Sequence, residues 1–335
     1  MTDEHIFAQY VRTLGRGPGR SRSLTREEAR TALGMVLKGE ADPHQVGAFL
    51  MLLRYRGEDP DEVAGLVEAA RDAAGLSDGL CTGAADLDWP SYGAGRTRDE
   101  PWFLLSALAL AQAGHRVLMH GSNAFTQGRD VPDALGELGL RPATSRADAK
   151  ALVAETGFAY LPLSALSPEL DRLLNLRHLL GLRSPINTVC RLLDPFDTAA
   201  AVDGVFHPPY IDLHLGVAQR LNRPRLVVVK GGGGEVERNP AKPTTAYVQV
   251  GTDRQELPLP ALTAGKADSE GLLPVWRGDP GVEAATATVI ATIALGVLAL
   301  GLAHEPAEAD RVAAEIWAGR NYLPTPNSLK RRIEQ

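Results

Sequence analysis

The chain has 335 residues, 44% hydrophobic and 23% charged, with a formal net charge of −6. That length suits one large domain joined to a small one in an ordinary soluble globular protein. The acidic balance excludes a uniformly basic nucleic-acid binder but leaves room for a local basic groove.

Residues 5–72 read as helices. Thr25 is placed as an N-cap with Glu28 three positions on, a capping-box spacing, and Ala29, Ala32, Leu33, Val36 and Leu37 follow at helical intervals. Gly39 closes that helix and Pro43 opens the next. Asp59-Pro60-Asp61-Glu62 opens a third, with acids at the positive end of its dipole. Residues 75–85 look like a linker. Trp102–Gly114 reads as a helix before a short buried strand at Arg116–Met119, and Ala159–Pro162 suggests another. Pro168–Leu182 reads as helical. Arg225–Val229 is the clearest strand, β-branched and followed by glycines. Residues 239–275 suggest a loop or hairpin, and 284–318 return to helix. Ala284–Ala303 carries no charge and is long enough to span a bilayer; its Ala, Thr and Gly content favours a buried helix.

The fold expected is therefore α/β: a small N-terminal all-helical domain at 1–75, joined by helices from about 165–195, and a large α/β domain at 80–335 with a mainly parallel central sheet. Two distant cysteines, Cys81 and Cys190, make no secreted disulfide framework. The polar start Met1-Thr-Asp-Glu-His5 does not read as a signal peptide. A cytoplasmic protein without membrane association is expected.

Leu24–Ala29, Gly39-Glu40 and Gln45–Glu58 resemble the N-terminal helical domain of glycosyltransferase family 3. Downstream, His120-Gly121, Asp133–Gly136, Arg177-(x)3-Gly181-Leu-Arg183-(x)3-Asn187 and Val229–Gly234 fall in the order seen in anthranilate phosphoribosyltransferases. The resemblance implies a phosphoribosyltransferase-like fold and a homodimer formed through the helical domain.

Departures from that family lie at its phosphate loops. Its Gly-Thr-Gly-Gly-Asp loop is Pro90–Arg96 here, which keeps Gly93 and Gly95 and lacks the acid. Pro101–Leu104 replaces a hydroxyl-bearing turn, Met119 replaces a lysine, and Val236-Glu237 replaces an Asp-Glu metal pair. Phosphoribosyl transfer uses Mg²⁺ and backbone amides to neutralise the leaving pyrophosphate. Losses at each of these places point to a cleft without biosynthetic turnover. The pattern is similar to a YbiB-like branch of the family, which implies nucleic-acid binding in a positive groove without strong sequence preference.

Two functions stay open. One is a nucleic-acid-binding homodimer with no catalytic residues and no cofactor. The other is a phosphoribosyl- or glycosyltransferase with an altered substrate, using Mg²⁺ and phosphoribosyl pyrophosphate. Candidates for phosphate or nucleic-acid contact are Arg16, Arg20 and Arg22 in the glycine-interspersed N-terminal stretch, with Arg96, Arg98, Arg129, Arg177, Arg183 and Lys230. Tyr92, Gly93, Gly95, His120, Gly121, Asn123, Gly231 and Gly232 outline the vestigial substrate cleft, with His120-Gly121 read as a structural turn. Tyr92, Trp102 and Phe125 are the aromatics placed to stack on a base. No metal is expected, Glu237 being the weak candidate, because alternate residues of an extended segment face opposite ways.

Overall fold

The computed structural model describes residues 4–17, 19–93, 100–122, 125, 128–262 and 271–321. The helical domain starts with α1 (Ala8–Gly15), α2 (Arg26–Leu37), α3 (Pro43–Arg56) and α4 (Pro60–Ala73). Local sequence sets their starts. Thr25 and Glu28 form the capping box of α2. Asp42 and Gln45 form a second at α3, with Pro43 in the first turn, and Asp59 caps α4. Each satisfies amides that the first turn leaves without partners.

The α/β domain alternates as expected: β1 (Leu87–Ser91), α5 (Trp102–Gln112), β2 (Val117–Gly121), α6 (Val131–Glu137), α7 (Arg146–Thr156) and β3 (Phe158–Pro162). The helices α8 (Leu163–Leu166), α9 (Pro168–Asn175), α10 (Arg177–Leu180) and α11 (Ile186–Arg191) follow. Then come β4 (Ala200–Val205), α12 (Pro209–Arg220), β5 (Arg225–Lys230), β6 (Thr244–Val250), β7 (Asp253–Leu259), α13 (Leu272–Arg277), α14 (Glu283–Leu300) and α15 (Pro306–Ala318). The strand order is β3-β2-β1-β4-β5-β6-β7. The first five strands run parallel, and β6 and β7 form an antiparallel hairpin on the β5 edge.

Two expectations needed revision, and two strands were not expected. The single helix expected over Pro168–Leu182 is two, α9 and α10, broken at Leu176 and ended by Gly181 in the left-handed region. Within the stretch taken as a linker, Leu76–Asp78 forms a short 3-10 turn with Leu76 buried. Strands β1 and β4 carry Asp88, Pro90, Asp203 and Gly204, residues that lower strand propensity. Their flanking strands and complete burial override that.

Side chains alternate across the sheet. Leu87, Trp89, Val117, Met119, Val202, Val227 and Val229 face a core built with α5, α13, α14 and α15. Helix α14 is long and apolar enough to cross a membrane by composition alone, yet 67% of it is buried within the fold. The opposite face carries Leu118, Ala159 and Leu161, covered by α7–α9, α11 and the helical domain in one continuous core. Ala201, Val205, Leu226 and Val228 meet α12 on that same side. By the same alternation Asp88, His120 and Asp203 point to this second face. These three polar groups of the central strands thus share the second face.

Candidate anion-binding cleft

Open parallel sheets bind ligands beyond the carboxyl ends of their strands, where the connections change direction. Here that crevice lies between β1 and β4. After β1 the chain winds outward to β2 and β3; after β3 it returns to the other side of β1. Arg191, at the end of α11, binds the crevice together. Its Nη1 donates to Gly204 O at 2.9 Å and Gly234 O at 2.6 Å, and its Nη2 to Tyr92 O at 2.8 Å. Burial pushes the Arg191 guanidinium below its ordinary pKa, while Glu235 and Asp203 support its charge. With its donors committed to carbonyls, Arg191 is a structural clamp.

Beside this clamp lies a cavity of 330 Å³. Helix α3 contributes Arg54, and the α10–α11 segment contributes Arg177, Arg183, Ser184 and Asn187. The end of β4 and the start of α12 contribute Phe206, His207, Tyr210 and His214. Arg54 donates to the Tyr210 hydroxyl, and burial raises that phenol to about 12. Arg177 lies over the Phe125 ring, 4.7 Å from its centroid. Arg183 is half-buried with no ion pair or hydrogen bond to the described residues. Burial, then the neighbouring charges of Arg177, Arg191 and Arg54, lower it to about 10. A guanidinium among guanidiniums, with no carboxylate beside it, is a site made for an anion.

The lower wall carries a buried pair. His214 Nδ1 and Asp203 Oδ2 lie 2.7 Å apart, with both side chains essentially inaccessible. A second buried group lies under β1 and β2. Tyr92 OH meets His120 Nδ1 at 2.9 Å, and His120 Nε2 lies 3.3 Å from Asp88 Oδ1. Tyr92 and His120 thus sit within the core and do not line the cavity.

At the other side of the crevice, the anion-binding elements are occupied by the protein's own carboxylates. Ser91 Oγ, at the end of β1, donates to Glu235 Oε1 at 3.2 Å. Phe103 N, in the first turn of α5, donates to Glu237 Oε2 at 3.2 Å. A carboxylate at a helix N-terminus takes the place where a phosphate would gain most. The loop after β5 approaches this point because glycines allow it. A Cβ at Gly93 would lie 2.2 Å from Glu235 Oε1, and one at Gly231 would lie 1.6 Å from Glu235 O. Glu237 is therefore a helix cap, and among the described residues no cluster of three or more His, Cys, Asp or Glu side chains could hold a metal ion. These residues do not fit a Mg²⁺ ion held by adjacent carboxylates.

Of the candidates read from sequence, the structure brings Arg177 and Arg183 together in the cleft. Arg22 instead forms a two-bond pair with Glu28, and Arg16 and Arg20 are exposed on the helical domain, outside the cavity lining. Arg129 is paired with Glu100 and Glu137. Lys230 is exposed at the end of β5, with buried Gly231 and exposed Gly232 after it. Gly121 ends β2 beside Ser91. Gly95, Arg96, Arg98 and Asn123 lie outside the described residues. Sequence reasoning missed Arg54, Arg191, Asp203, Tyr210 and His214. Asp203 offered one signal, a lone acid in the apolar run Ala200-Ala-Val-Asp-Gly-Val205.

The model of a glycosyl transferase family helical bundle domain matches residues 8–74, and that of the family's a/b domain matches 103–268. An anthranilate phosphoribosyltransferase of Nitratidesulfovibrio vulgaris is 30% identical over 73% of this chain and 72% of its own length.

The chain belongs to glycosyltransferase family 3.

Within the family it is also similar to the Escherichia coli protein YbiB, described as uncharacterized, at 28% identity over 70% of this chain and 74% of that one. The anthranilate phosphoribosyltransferase structure from Thermus thermophilus superposes with a TM-score of 0.75 over 98% of both chains at 21% identity. At that identity the structure establishes the shared fold. The expected architecture, a helical domain on a mainly parallel α/β domain, is thus that of a family 3 glycosyltransferase.

Proposed function

We propose that this family 3 chain is a pentosyltransferase-type protein with an altered substrate, whose cleft takes an anionic ligand. The observation that carries the reading is Arg183: a half-buried guanidinium without a carboxylate partner, crowded by Arg177, Arg191 and Arg54. Like charges collected in a partly desolvated cleft raise the free energy of the empty state, and an anion relieves it. The donor side differs from the family's diphosphate loop, because Glu235 and Glu237 already engage Ser91 and the α5 N-terminus. The chain's own substrate pair is accordingly expected to differ from phosphoribosyl pyrophosphate with anthranilate. Calorimetric titration with inorganic phosphate and ribose 5-phosphate tests the cleft; loss of binding in Arg183→Ala is expected. Mass-spectrometric product detection with phosphoribosyl pyrophosphate, Mg²⁺ and anthranilate tests the substrate assignment. Rapid formation of phosphoribosylanthranilate would overturn it.

The carboxylates seated at Ser91 and Phe103 N favour a second reading. Carboxylates at Ser91 and at the α5 N-terminus, with arginines kept in the cleft, suit a non-biosynthetic homodimer that holds nucleic-acid phosphates along the cleft. Net acidity and the internal pairing of Arg12, Arg22, Arg26 and Arg30 weigh against a broad basic surface. A salt titration of single-strand binding separates the readings. A steep log–log fall in affinity supports nucleic acid, and absence of binding at low salt removes it.

A further inference from the structure

We propose that Asp203 and His214 form a proton-accepting pair for the ligand held in the arginine cleft. The inference rests on the pentosyltransferase reading and adds to it a proton acceptor for the attacking N–H or O–H group.

Geometry gives each residue its part. Asp203 extends from β4 toward α12 and lies 2.7 Å from His214 Nδ1. A buried carboxylate at that nitrogen holds the proton on Nδ1 and leaves Nε2 as the base. Nε2 has no hydrogen-bond partner among the described residues, and His214 lines the same cavity as Arg183 and Arg177. The other oxygen of Asp203 also lacks a hydrogen-bond partner among the described residues, so its charge is directed to the imidazole and to nearby Arg191. The groups around the pair are Arg191 from α11 with Glu235 beside it, Arg183 after α10, Arg54 from α3 with Glu58 near it, and His207 and Tyr210 beside α12. Asp203 is the carboxylate in direct contact with the imidazole. An isolated core pair would satisfy the same 2.7 Å contact, but it would not need a histidine lining the cavity that holds Arg183.

The step balances with a pentosyl phosphate or diphosphate donor. The acceptor's N–H or O–H proton moves to His214 Nε2, and the freed electron pair forms a bond to the anomeric carbon. The bond from that carbon to the phosphate oxygen breaks, and its electron pair leaves with the phosphate. His214 is the catalytic residue in this scheme. Asp203 acts through it as a positioning residue.

The test uses the full chain and diethyl pyrocarbonate, which acylates neutral, accessible imidazole nitrogen, with sites assigned by fragment-ion mass spectrometry. His214, reached only through the cavity, is expected to react at pH 7.5 more slowly than exposed His44 but measurably, and at least fivefold more slowly again under saturating inorganic phosphate, with His44 unaffected. An unreactive His214 in folded protein overturns the proposal, as does reactivity indifferent to bound phosphate. In Asp203→Asn the rate of His214 modification at pH 7.5 is expected to change at least threefold, because the partner that fixes the ring at Nδ1 is altered; an unchanged rate refutes the positioning role. Should that variant not fold, the wild-type reactivity and its phosphate protection decide. His214→Gln is expected to keep phosphate affinity within twofold while transfer to any accepted nucleophile falls about a hundredfold or more. If phosphate does not bind at all, the cleft reading fails, while the reactivity of His214 and its dependence on Asp203 still judge the pair.

Discussion

Replacing Arg183 by methionine should make the protein more stable and a poorer binder. The guanidinium is held at about 10 against an ordinary value of 12.5. A drop of that size corresponds to at most about 3 kcal/mol of preference for the neutral form. The side chain is only half removed from water, so screening reduces the figure to about 1–2 kcal/mol. The sign follows from proton linkage. A cation whose pKa is lower folded than unfolded weakens the native state at every pH below the folded value, so its removal stabilises across the physiological range. Methionine fills much of the same volume without charge. For a chain of this size, about 1–2 kcal/mol is a rise of roughly 2–3 °C in the unfolding midpoint. Thermal unfolding in phosphate-free buffer measures that rise, and calorimetry measures the affinity for inorganic phosphate, which should fall tenfold or more. A variant that is less stable and binds phosphate unchanged would refute the reasoning, because it would show that the guanidinium is neutralised within the fold.

Glu62 offers a pH-dependent counterpart. It is 1% exposed in the helical domain and burial raises it to about 7. The folded state therefore holds its proton more tightly than the unfolded chain, so the contribution of Glu62 to stability is full below about pH 4.5 and is lost as pH rises through about 7. Glu62→Gln should stabilise by about 2 kcal/mol at pH 8 and change little at pH 4; equal effects at both pH values in denaturant titrations would count against it. Joint replacement of Glu235 and Glu237 by glutamine removes one negative charge beside Ser91 and one at the α5 N-terminus while leaving acceptor oxygens. Pyrophosphate affinity measured by calorimetry should improve on the order of tenfold; no change would mean that anions do not approach that end of the crevice. Gly121→Ala places a Cβ 1.9 Å from Ser91 O. Since β1 and β2 pair there, the strands must separate, at a cost of about 3 kcal/mol or more. A wild-type unfolding midpoint would contradict that packing.

The helical domain was legible because its signals are local. Thr25 with Glu28, and Pro43 and Asp59-Pro60 at helix starts, act within one turn, and the structure places caps there. The β-branched run at Arg225–Val229 likewise reports a buried strand without help from its neighbours. The motif containing Arg177 and Arg183 marked one wall of the cleft, since its spacing survives whatever the phosphate loops have become.

The rest was decided by tertiary structure. Strands β1 and β4 do not look like strands, because the residues that make them useful, Asp88 and Asp203, are those that spoil the pattern. Burial and parallel neighbours impose the conformation that propensity opposes. Charge in the sequence also says nothing about its partner. Arg22 and Arg129 read as candidate phosphate contacts, yet Glu28, Glu100 and Glu137 engage them, whereas Arg183 meets other arginines. Asp203 and His214 lie eleven positions apart with a strand end and a helix start between them. Only the packing of α12 on β4 turns a strand acid and a helix histidine into a contact of 2.7 Å. Local sequence determined the helix starts, strand β5 and the family; strands β1 and β4 and the cleft's charge balance arise from contacts between elements, which no local pattern records.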